Sequence, residues 1–460
     1  MSYKHLIIIS ILGIGGFCCR ERAQSNVDTP AVDSLAVDTP VKKAPGLPSF
    51  DVSKAYSDLF LEPDQLGSFI ARQQLDSGLA DQLRDLYRER HYQFAWFTSD
   101  GLTEQAYSFY SLYNYSKDST EHRKWLDRRL DQMMRADSIQ PVAGDSLCQR
   151  TELLMSWRFL HYISNRYPDD KEREDAIKQL LPAEKQDPMK MAGEVVGGRE
   201  DKTDNPWYSL LKARLKRYVD SARLDSVKKI LINLERMKWL PPHPEGKLII
   251  VNIPEFRMHV TEDGKKVFDM KVVVGKEGHS TILFSGNMDR IVFNPYWNVP
   301  PSIVKKEVVP AMERHKDYLE KNDMEITGES DGLPVVRQLP GKKNELGRMK
   351  FLFPNSFNIY FHDTPHKELF SKAQRAYSHG CIRLAAPRKL ADYVLEPMPE
   401  WSARRIDSLL ATGKEQTVRL ASPVPVLICY FTAWVSEDGA LLFRKDIYGH
   451  DSTLARKLFY

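Results

Sequence analysis

Residues 355–384, NSFNIYFHDTPHKELFSKAQRAYSHGCIRL, contain the two side chains from which the fold and the chemistry are predicted. His362 ends a short run of β-forming residues, and eighteen residues lie between it and Cys381. Only the thiolate form of cysteine attacks well, and an imidazole takes the thiol proton and later returns it to a leaving group. The sequence therefore predicts Cys381 as a nucleophile and His362 as its general base.

The residues around Cys381 suit the same chemistry. Gly380 permits a tight turn in which backbone N–H groups near His379, Gly380 and Cys381 converge on a developing oxyanion. Arg383, two residues after the cysteine, carries a guanidinium that matches the geometry of a substrate carboxylate. The segment therefore predicts an oxyanion hole beside a carboxylate-binding side chain.

Residue types alone leave two other interpretations open. A cysteine near a histidine is commonly a small buried residue without a catalytic role. A zinc site is the second alternative, although the spacing of its four candidate ligands matches no standard zinc pattern. These candidates are His362, His366, His379 and Cys381.

The segment Ser378–Arg383, SHGCIR, resembles the active-site signature of the L,D-transpeptidases. In that signature a histidine precedes Ser/Thr-His-Gly-Cys, a hydrophobic residue and Asn or Arg. Four further segments resemble the large, multi-domain Gram-negative branch of the family: residues 272–276 (VVVGK), 293–300 (FNPYWNVP), 338–347 (QLPGKKNELG) and 361–365 (FHDTP).

The resemblance implies an α+β fold. A helical N-terminal scaffold domain, residues 49–240, would be followed by a β-rich L,D-transpeptidase catalytic domain, residues 245–460. A capping subdomain inserted at about 302–347 is expected to cover the active site and to move when a bulky substrate enters. A packing insert without gating is the alternative.

The resemblance also implies an activity. Cys381 would attack a tetrapeptide stem of peptidoglycan and release D-Ala, and the side-chain amine of an acceptor stem would then complete a 3→3 crosslink. Tyr360 would line the groove or orient His362, and His379 would support the cysteine loop. No metal or organic cofactor is implied. The expected oxyanion and substrate-binding residues are His379, Gly380, Arg383, Ser378 and Tyr360.

Three other functions stay open at this point. Water in place of the stem amine would make the protein an L,D-carboxypeptidase, and a protein amine would attach that protein to peptidoglycan. A non-catalytic wall-binding scaffold is the alternative from another class. The cysteine mechanism also makes the protein an expected carbapenem target.

Residues 1–19 predict export from the cytoplasm. Lys4 precedes an apolar run, residues 6–17, that is too short to span a bilayer and suits the core of a signal peptide. Cys18 and Cys19 follow it and suggest lipoprotein processing, with an uncleaved anchor or an ordinary signal peptide as alternatives. We therefore expect the protein in the periplasm or cell envelope, held at the membrane by its leader or by a lipid anchor. Penicillin-binding proteins and other glycan synthases are candidate partners there.

Residues 20–48 predict a disordered linker, because they are rich in proline, small residues and acids and repeat Val-Asp-Thr-Pro. The net charge is +4, and charges of both signs are mixed along the chain. This pattern does not suggest a basic surface that binds nucleic acid. Two of the five cysteines lie in the leader, and the remaining three leave at least one unpaired, so a disulfide framework is not expected.

The rest of the chain divides by its periodicity. Residues 61–239 carry apolar residues at helical spacing, interrupted by an expected exposed loop between residues 182 and 204. The aromatic run at 92–97, YQFAWF, is expected in the core, with glycan stacking as the alternative.

From about residue 245 the apolar period becomes two, which predicts strands. These include residues 350–353 and 358–361, with a helix-like connection over 366–377. A C-terminal hairpin, with its turn at Asp438-Gly439, is expected to close the sheet.

Overall fold

The computed structural model describes residues 50–115, 124–135, 141, 144–198, 205–241, 245–436 and 438–460. The predicted leader, residues 1–19, and the predicted linker, residues 20–48, lie outside these ranges. The described residues belong to one compact unit. No helix within them is long and apolar enough to cross a membrane.

The described part of the first 240 residues is mainly helical, as the sequence predicts. Several helices begin after an Asp or Asn whose side chain accepts a hydrogen bond from a first-turn N–H group, which stabilises that end. The helices are α1 (Pro63–Gln73), α2 (Ser77–Glu89), α3 (Glu104–Tyr115), α4 (Lys124–Arg135), α5 (Ser146–Arg166), α6 (Asp170–Leu180), α7 (Pro188–Gly197), α8 (Pro206–Asp220) and α9 (Leu224–Met237). The short strands β1 (Phe97–Thr98) and β2 (Gly101–Leu102) pair between α2 and α3.

Helix α7 corrects the prediction of an exposed loop between residues 182 and 204 over residues 188–197, whereas residues 199–204 lie outside the described residues. Pro188 occupies its first turn and Asp187 caps it through the N–H groups of Met189 and Lys190. Proline is compatible with the first turn of a helix, because the N–H group that it lacks has no partner there. Pro188, which the sequence analysis interpreted as part of a loop, is therefore the first residue of a helix.

The aromatic run at 92–97 lies in the core, which confirms that prediction. Phe94, Trp96 and Phe97 are fully buried. The indole of Trp96 donates to Ser156, and the backbone N–H groups of Ala95 and Trp96 donate to the buried carboxylate of Glu152. These aromatic residues pack and bond within the protein interior.

The catalytic part begins with four strands: β3 (Lys247–Asn252), β4 (Arg257–Glu262), β5 (Lys265–Gly275) and β6 (Phe284–Phe293). An insert with its own small sheet follows, made of β7 (Trp297–Asn298), β8 (Met324–Ser330) and β9 (Leu333–Gln338) in the order β7-β9-β8. Its helices are α10 (Pro301–Ile303), α11 (Val309–Arg314) and α12 (Tyr318–Lys321), with a π-helical turn (Val304–Val308) between α10 and α11. We call residues 297–346 the cap.

The chain then returns to the main sheet. The remaining strands are β10 (Met349–Leu352), β11 (Phe361–His362), β12 (Ala376–Ser378), β13 (Ile382–Leu384), β14 (Gln416–Cys429), β15 (Ala433–Val435) and β16 (Leu441–Phe443). The main sheet has the order β12-β5-β13-β11-β10-β6-β14-β3-β4, and β4 also pairs with β5, so the sheet closes on itself. The remaining helices are α13 (Pro387–Leu395), α14 (Ala403–Thr412) and α15 (His450–Leu458).

The scaffold helices and the sheet share one hydrophobic core. Leu231 and Leu234 of α9 belong to the same buried cluster as Leu248, Ile250 and Leu427 of the sheet. At the same contact the buried guanidinium of Arg236 bonds to Glu104 and Asp451. The two predicted domains, which meet at residues 240–245 of the sequence, therefore share one hydrophobic core in the structure.

Three local predictions in the catalytic part are wrong. Strand β11 has two residues in place of residues 358–361, because Asn358 adopts a left-handed conformation with φ of 57°. The connection over 366–377 is a 3₁₀ turn (Lys367–Ser371) followed by β12. The C-terminal hairpin, β15 and β16, forms a separate two-stranded sheet, and the chain ends in helix α15.

Candidate active site

The two predicted catalytic residues are brought together by parallel pairing of β11 with β13. In this register Phe361 lies opposite Ile382 and His362 lies opposite Arg383. The N–H group of Ile382 also donates to the carbonyl of Tyr360 at 3.1 Å. His362 and Ile382, the residue after Cys381, are thus held by neighbouring strands.

The loop that carries Cys381 is fixed by hydroxyl groups. The Ser378 hydroxyl donates to the Cys381 carbonyl at 2.5 Å and accepts from the Gly380 N–H at 3.2 Å. The buried hydroxyl of Thr281 donates to the Gly380 carbonyl at 2.8 Å. Gly380 has a φ of 111°, which an L-residue rarely adopts. Both the glycine and the serine of the signature thus have a backbone role.

The N–H groups predicted for the oxyanion hole are therefore not equivalent. The Gly380 N–H is already engaged by Ser378. Among the described residues, the N–H groups of His379 and Cys381 have no acceptor. These two are the donors that the loop leaves for an oxyanion.

His362 is buried, and its proton position is set by one contact. Nδ1 donates to the Asp363 carbonyl at 2.5 Å, which leaves the lone pair on Nε2. Burial, together with the positive charge of Arg383, lowers the pKa of His362 to about 3. At neutral pH the imidazole is therefore uncharged and able to accept a proton at Nε2.

Cys381 rests as a thiol. Its Sγ lies 3.6 Å from the Asn358 carbonyl and contacts Tyr360, and burial raises the pKa of the thiol. No hydrogen bond joins Sγ to His362 among the described contacts, although both side chains line one cavity of about 320 Å³. The resting state of the pair is therefore a neutral thiol beside a neutral imidazole.

Tyr360 forms one wall of this cavity. Its ring meets the His362 ring edge-on at 5.7 Å between centroids, and the Lys350 ammonium lies 3.9 Å from the tyrosine centroid. A cation over an aromatic face is attractive. The positive charge of Lys350 also opposes the rise in the pKa of Cys381. Tyr360 therefore lines the cavity and contacts both His362 and the thiol.

The cap supplies charged residues that sequence analysis did not assign. Glu345 accepts from His366 at 3.0 Å, and its other oxygen lies 3.6 Å from the guanidinium of Arg383. Glu307, on the π-helical turn, lies 3.5 Å from His379. Glu345 stands inside the quoted segment 338–347, whereas nothing in the sequence marks the π-helical turn that carries Glu307.

Arg383 is only partly satisfied. Among the described residues, its buried Nε atom has no hydrogen-bond partner and its single ion pair is the contact with Glu345. A guanidinium offers five N–H donors, so this one has capacity for an anionic ligand in the cavity. Among the described residues, including those of the cavity, no group of three or more His, Cys, Asp or Glu side chains could hold a metal ion.

Two family models match the chain. Residues 246–426 match the L,D-transpeptidase catalytic domain, and residues 81–215 match the Scaffold domain. A Haemophilus influenzae protein with a provisional L,D-transpeptidase name is 27% identical over 307 residues, or 63% of this chain. The chain spans 61% of the length of that relative.

Solved structures of L,D-transpeptidases are also similar to this chain. One from Mycobacterium smegmatis has 14% identity and a TM-score of 0.22, covering 40% of this chain and 58% of its own. The Enterococcus faecium catalytic domain acylated by ertapenem has 14% identity and a TM-score of 0.20, covering 41% and 99%. At these TM-scores the likeness supports no detail of the site. The chain thus contains an L,D-transpeptidase catalytic domain, residues 246–426, with a Scaffold domain, residues 81–215, ahead of it.

Proposed function

We propose that the protein is a peptidoglycan L,D-transpeptidase that forms 3→3 crosslinks through an acyl-enzyme on Cys381. The observation that carries the proposal is the pairing, in one cavity, of the Cys381 thiol with an uncharged His362 whose Nε2 is the free acceptor. A thiol beside a correctly tautomerised imidazole is the arrangement that nucleophilic acyl transfer needs.

In the first half-reaction Cys381 attacks a tetrapeptide stem. Its proton passes to His362 Nε2 as Sγ bonds to the carbonyl carbon between the third residue, a diamino acid, and D-Ala. The N–H groups of His379 and Cys381 hold the oxyanion. The C–N bond then breaks, and the D-Ala nitrogen leaves with the proton from His362.

In the second half-reaction the uncharged side-chain amine of an acceptor stem attacks the thioester carbonyl. The C–S bond breaks, and the amine proton returns through His362 to the sulfur. The new amide joins the third residues of two stems, which is a 3→3 crosslink. Water in the same place would give a tripeptide, and a protein amine would give an attached protein.

Arg383 and Glu345 support recognition of the diamino acid. Its side chain ends in a carboxylate and an ammonium group when the residue is diaminopimelate. The partly satisfied guanidinium of Arg383 suits the carboxylate, and Glu345, 3.6 Å away, suits the ammonium.

The setting that we propose follows from the substrate and from the leader. Peptidoglycan stems are crosslinked outside the cytoplasm, and residues 1–19 carry the composition of an export signal. We place the enzyme in the periplasm or cell envelope, attached to a membrane by its leader or a lipid, near glycan synthases.

The decisive experiment incubates the purified chain with tetrapeptide muropeptides and follows the products by mass spectrometry. We expect dimers that lack one D-Ala, and none with Cys381→Ala. Tripeptide monomers alone would identify a carboxypeptidase. Absence of any Cys381-dependent product, with every acceptor class supplied, would support the wall-binding scaffold.

A carbapenem tests the acyl-enzyme separately. We expect one adduct of the antibiotic's mass on the wild-type chain, located at Cys381 by peptide mapping. The variant Cys429→Ala is the matched control, because Cys429 is buried and is not part of the cavity lining. An adduct that persists in Cys381→Ala would contradict the assignment of the nucleophile.

A further inference from the structure

A second groove lies on the other side of the cysteine loop. Its volume is about 650 Å³, roughly twice that of the cavity beneath the cap. Leu102, Glu104 and Tyr107 of the scaffold line one side, and residues 277–283 with helix α15 line the other. His379 lines both the groove and the cavity, so a single side chain of the cysteine loop separates them.

The wall of the groove is tied to the reacting loop. Thr281 accepts from the Gly275 N–H at 2.9 Å and donates to the Gly380 carbonyl at 2.8 Å. The Lys276 N–H donates to the Ser378 carbonyl at 2.9 Å, and the rings of His279 and His379 are 4.9 Å apart. A ligand in the groove therefore borders the segment that would carry the thioester.

Lys457 indicates what kind of ligand the groove accepts. This lysine lines the groove, is only 8% exposed, and donates to the Thr98 hydroxyl at 3.0 Å. Among the described residues it forms no ion pair with a carboxylate. The carboxylates of Asp100, Asp58 and Glu104 favour its charged form without forming an ion pair with it, and a carboxylate ligand in the groove would pair with the ammonium directly.

The groove also contains acidic groups. Glu277 and Asp100 are exposed in its lining, and Glu104 is engaged by Arg236. A lining with an unpaired buried cation and exposed carboxylates is complementary to a zwitterionic ligand that carries both a carboxylate and an amine. A peptidoglycan stem ending in a diamino acid has this chemistry.

We propose that the groove between the scaffold helices and the catalytic sheet binds the acceptor stem peptide. This proposal rests on the proposed function. The donor stem then occupies the cavity beneath the cap, and the acceptor amine reaches the thioester from the His379 side. The scaffold domain supplies half of the acceptor site, which gives a chemical reason for its fusion to the catalytic sheet.

The test fills the groove and leaves the cavity unchanged. Thr453 lies in the first turn of α15 and lines the groove, so Thr453→Trp should block it. Its neighbour Ser452 is exposed and outside the lining, which makes Ser452→Trp the matched control. Lys457→Met removes the buried cation, and its thermal unfolding identifies a folding defect.

Binding is measured by calorimetry on the full chain carrying Cys381→Ala. The ligand is the tripeptide L-Ala-γ-D-Glu-meso-diaminopimelate, which lacks the scissile bond. We expect Thr453→Trp to raise the Kd for the tripeptide by about tenfold or more, and Ser452→Trp to raise it by less than about twofold. Equal binding by the two tryptophan variants, or no binding by the parent, overturns the proposal.

A second readout separates this proposal from the proposed function. With Cys381 intact, Thr453→Trp should keep its carbapenem adduct while dimer formation falls by about tenfold or more. A wild-type chain that forms no acyl-enzyme would defeat the proposed function, and the calorimetric comparison would still decide the groove. Unchanged dimer formation in Thr453→Trp would defeat the acceptor site alone.

Discussion

The scaffold helices and the cap are joined to the same sheet by different kinds of contact. The scaffold shares a large core with the sheet, and Arg236 of α9 is buried between Glu104 and Asp451. The cap has its own small buried cluster, Val299, Val304, Val308 and Val336. It reaches the site through ion pairs such as Glu345 with Arg383. The scaffold should therefore unfold with the sheet, and the cap should open by itself.

Arg236→Ala is expected to have the largest effect. It leaves Glu104 and Asp451, whose side chains are 16% and 12% exposed, without their buried cation, and breaking a buried ion pair of this kind costs about 3–5 kcal/mol. Urea denaturation followed by circular dichroism measures the loss. Lys216→Ala is the control, because the exposed pair of Lys216 with Asp220 should contribute less than about 1 kcal/mol. Similar losses in both variants would contradict a shared, buried junction.

Val336→Ala tests whether the cap opens independently. Val336 is fully buried in the small cap cluster, and its truncation should cost about 1–3 kcal/mol. We expect hydrogen exchange to accelerate in β8 and β9 and to stay unchanged in α9. Acceleration of comparable size in α9 would show that cap and sheet open as one unit.

His362 lies on β11 of the main sheet, and its titration should change the free energy of unfolding with pH. Its pKa is about 3 in the fold and about 6.5 in the unfolded chain, so below pH 6.5 only the unfolded state takes up the proton. The free energy of unfolding should therefore fall by about 1.4 kcal/mol per pH unit from pH 6 to about pH 4 through this residue. Stability then stops changing through His362 below about pH 3.

The measurement is a set of denaturation curves for wild type and His362→Gln across that range. The variant should lack this part of the slope, because it has no titrating group at the position. Parallel pH profiles for the two proteins would mean that His362 is not held neutral in the fold.

Glu345→Gln is expected to have the smallest effect. It keeps the shape of the cap and removes the charge facing Arg383, so KM for a diaminopimelate tetrapeptide should rise about fivefold with kcat retained. Glu325→Gln is the matched cap control, since Glu325 pairs with Arg337 outside the cavity lining. Equal KM values for the two variants would remove Glu345 from substrate recognition.

Local sequence rules predict much of this molecule. The helical first half and the strands after residue 245 follow from periodicity and from turn residues, whereas the position of the cap follows from the resemblance to the family. The proximity of His362 to the cysteine loop follows from the motif, whose two halves lie on adjacent strands. In these places, neighbouring residues in the chain determine the structure.

Contacts between distant segments are what the sequence does not reveal. The apolar face of α9 predicts a helix, yet the pattern is the same whether Leu231 meets another helix or the strand residue Ile250. The engagement of the Gly380 N–H depends on how Ser378 turns within its loop, and Glu345 reaches Arg383 only because the cap folds back. Periodicity contains no information about these contacts between distant segments.

The parallel pairing of β11 with β13 also determines where this protein can be re-engineered. The spacing of His362 and Cys381 is fixed by the strand register, in which His362 faces Arg383, and not by the number of residues between them. Phe370 in the 3₁₀ turn Lys367–Ser371 is buried, whereas residues 371–374 are exposed. The exposed run is therefore a position where a reporter peptide or affinity tag can be inserted while His362 and Cys381 keep their geometry.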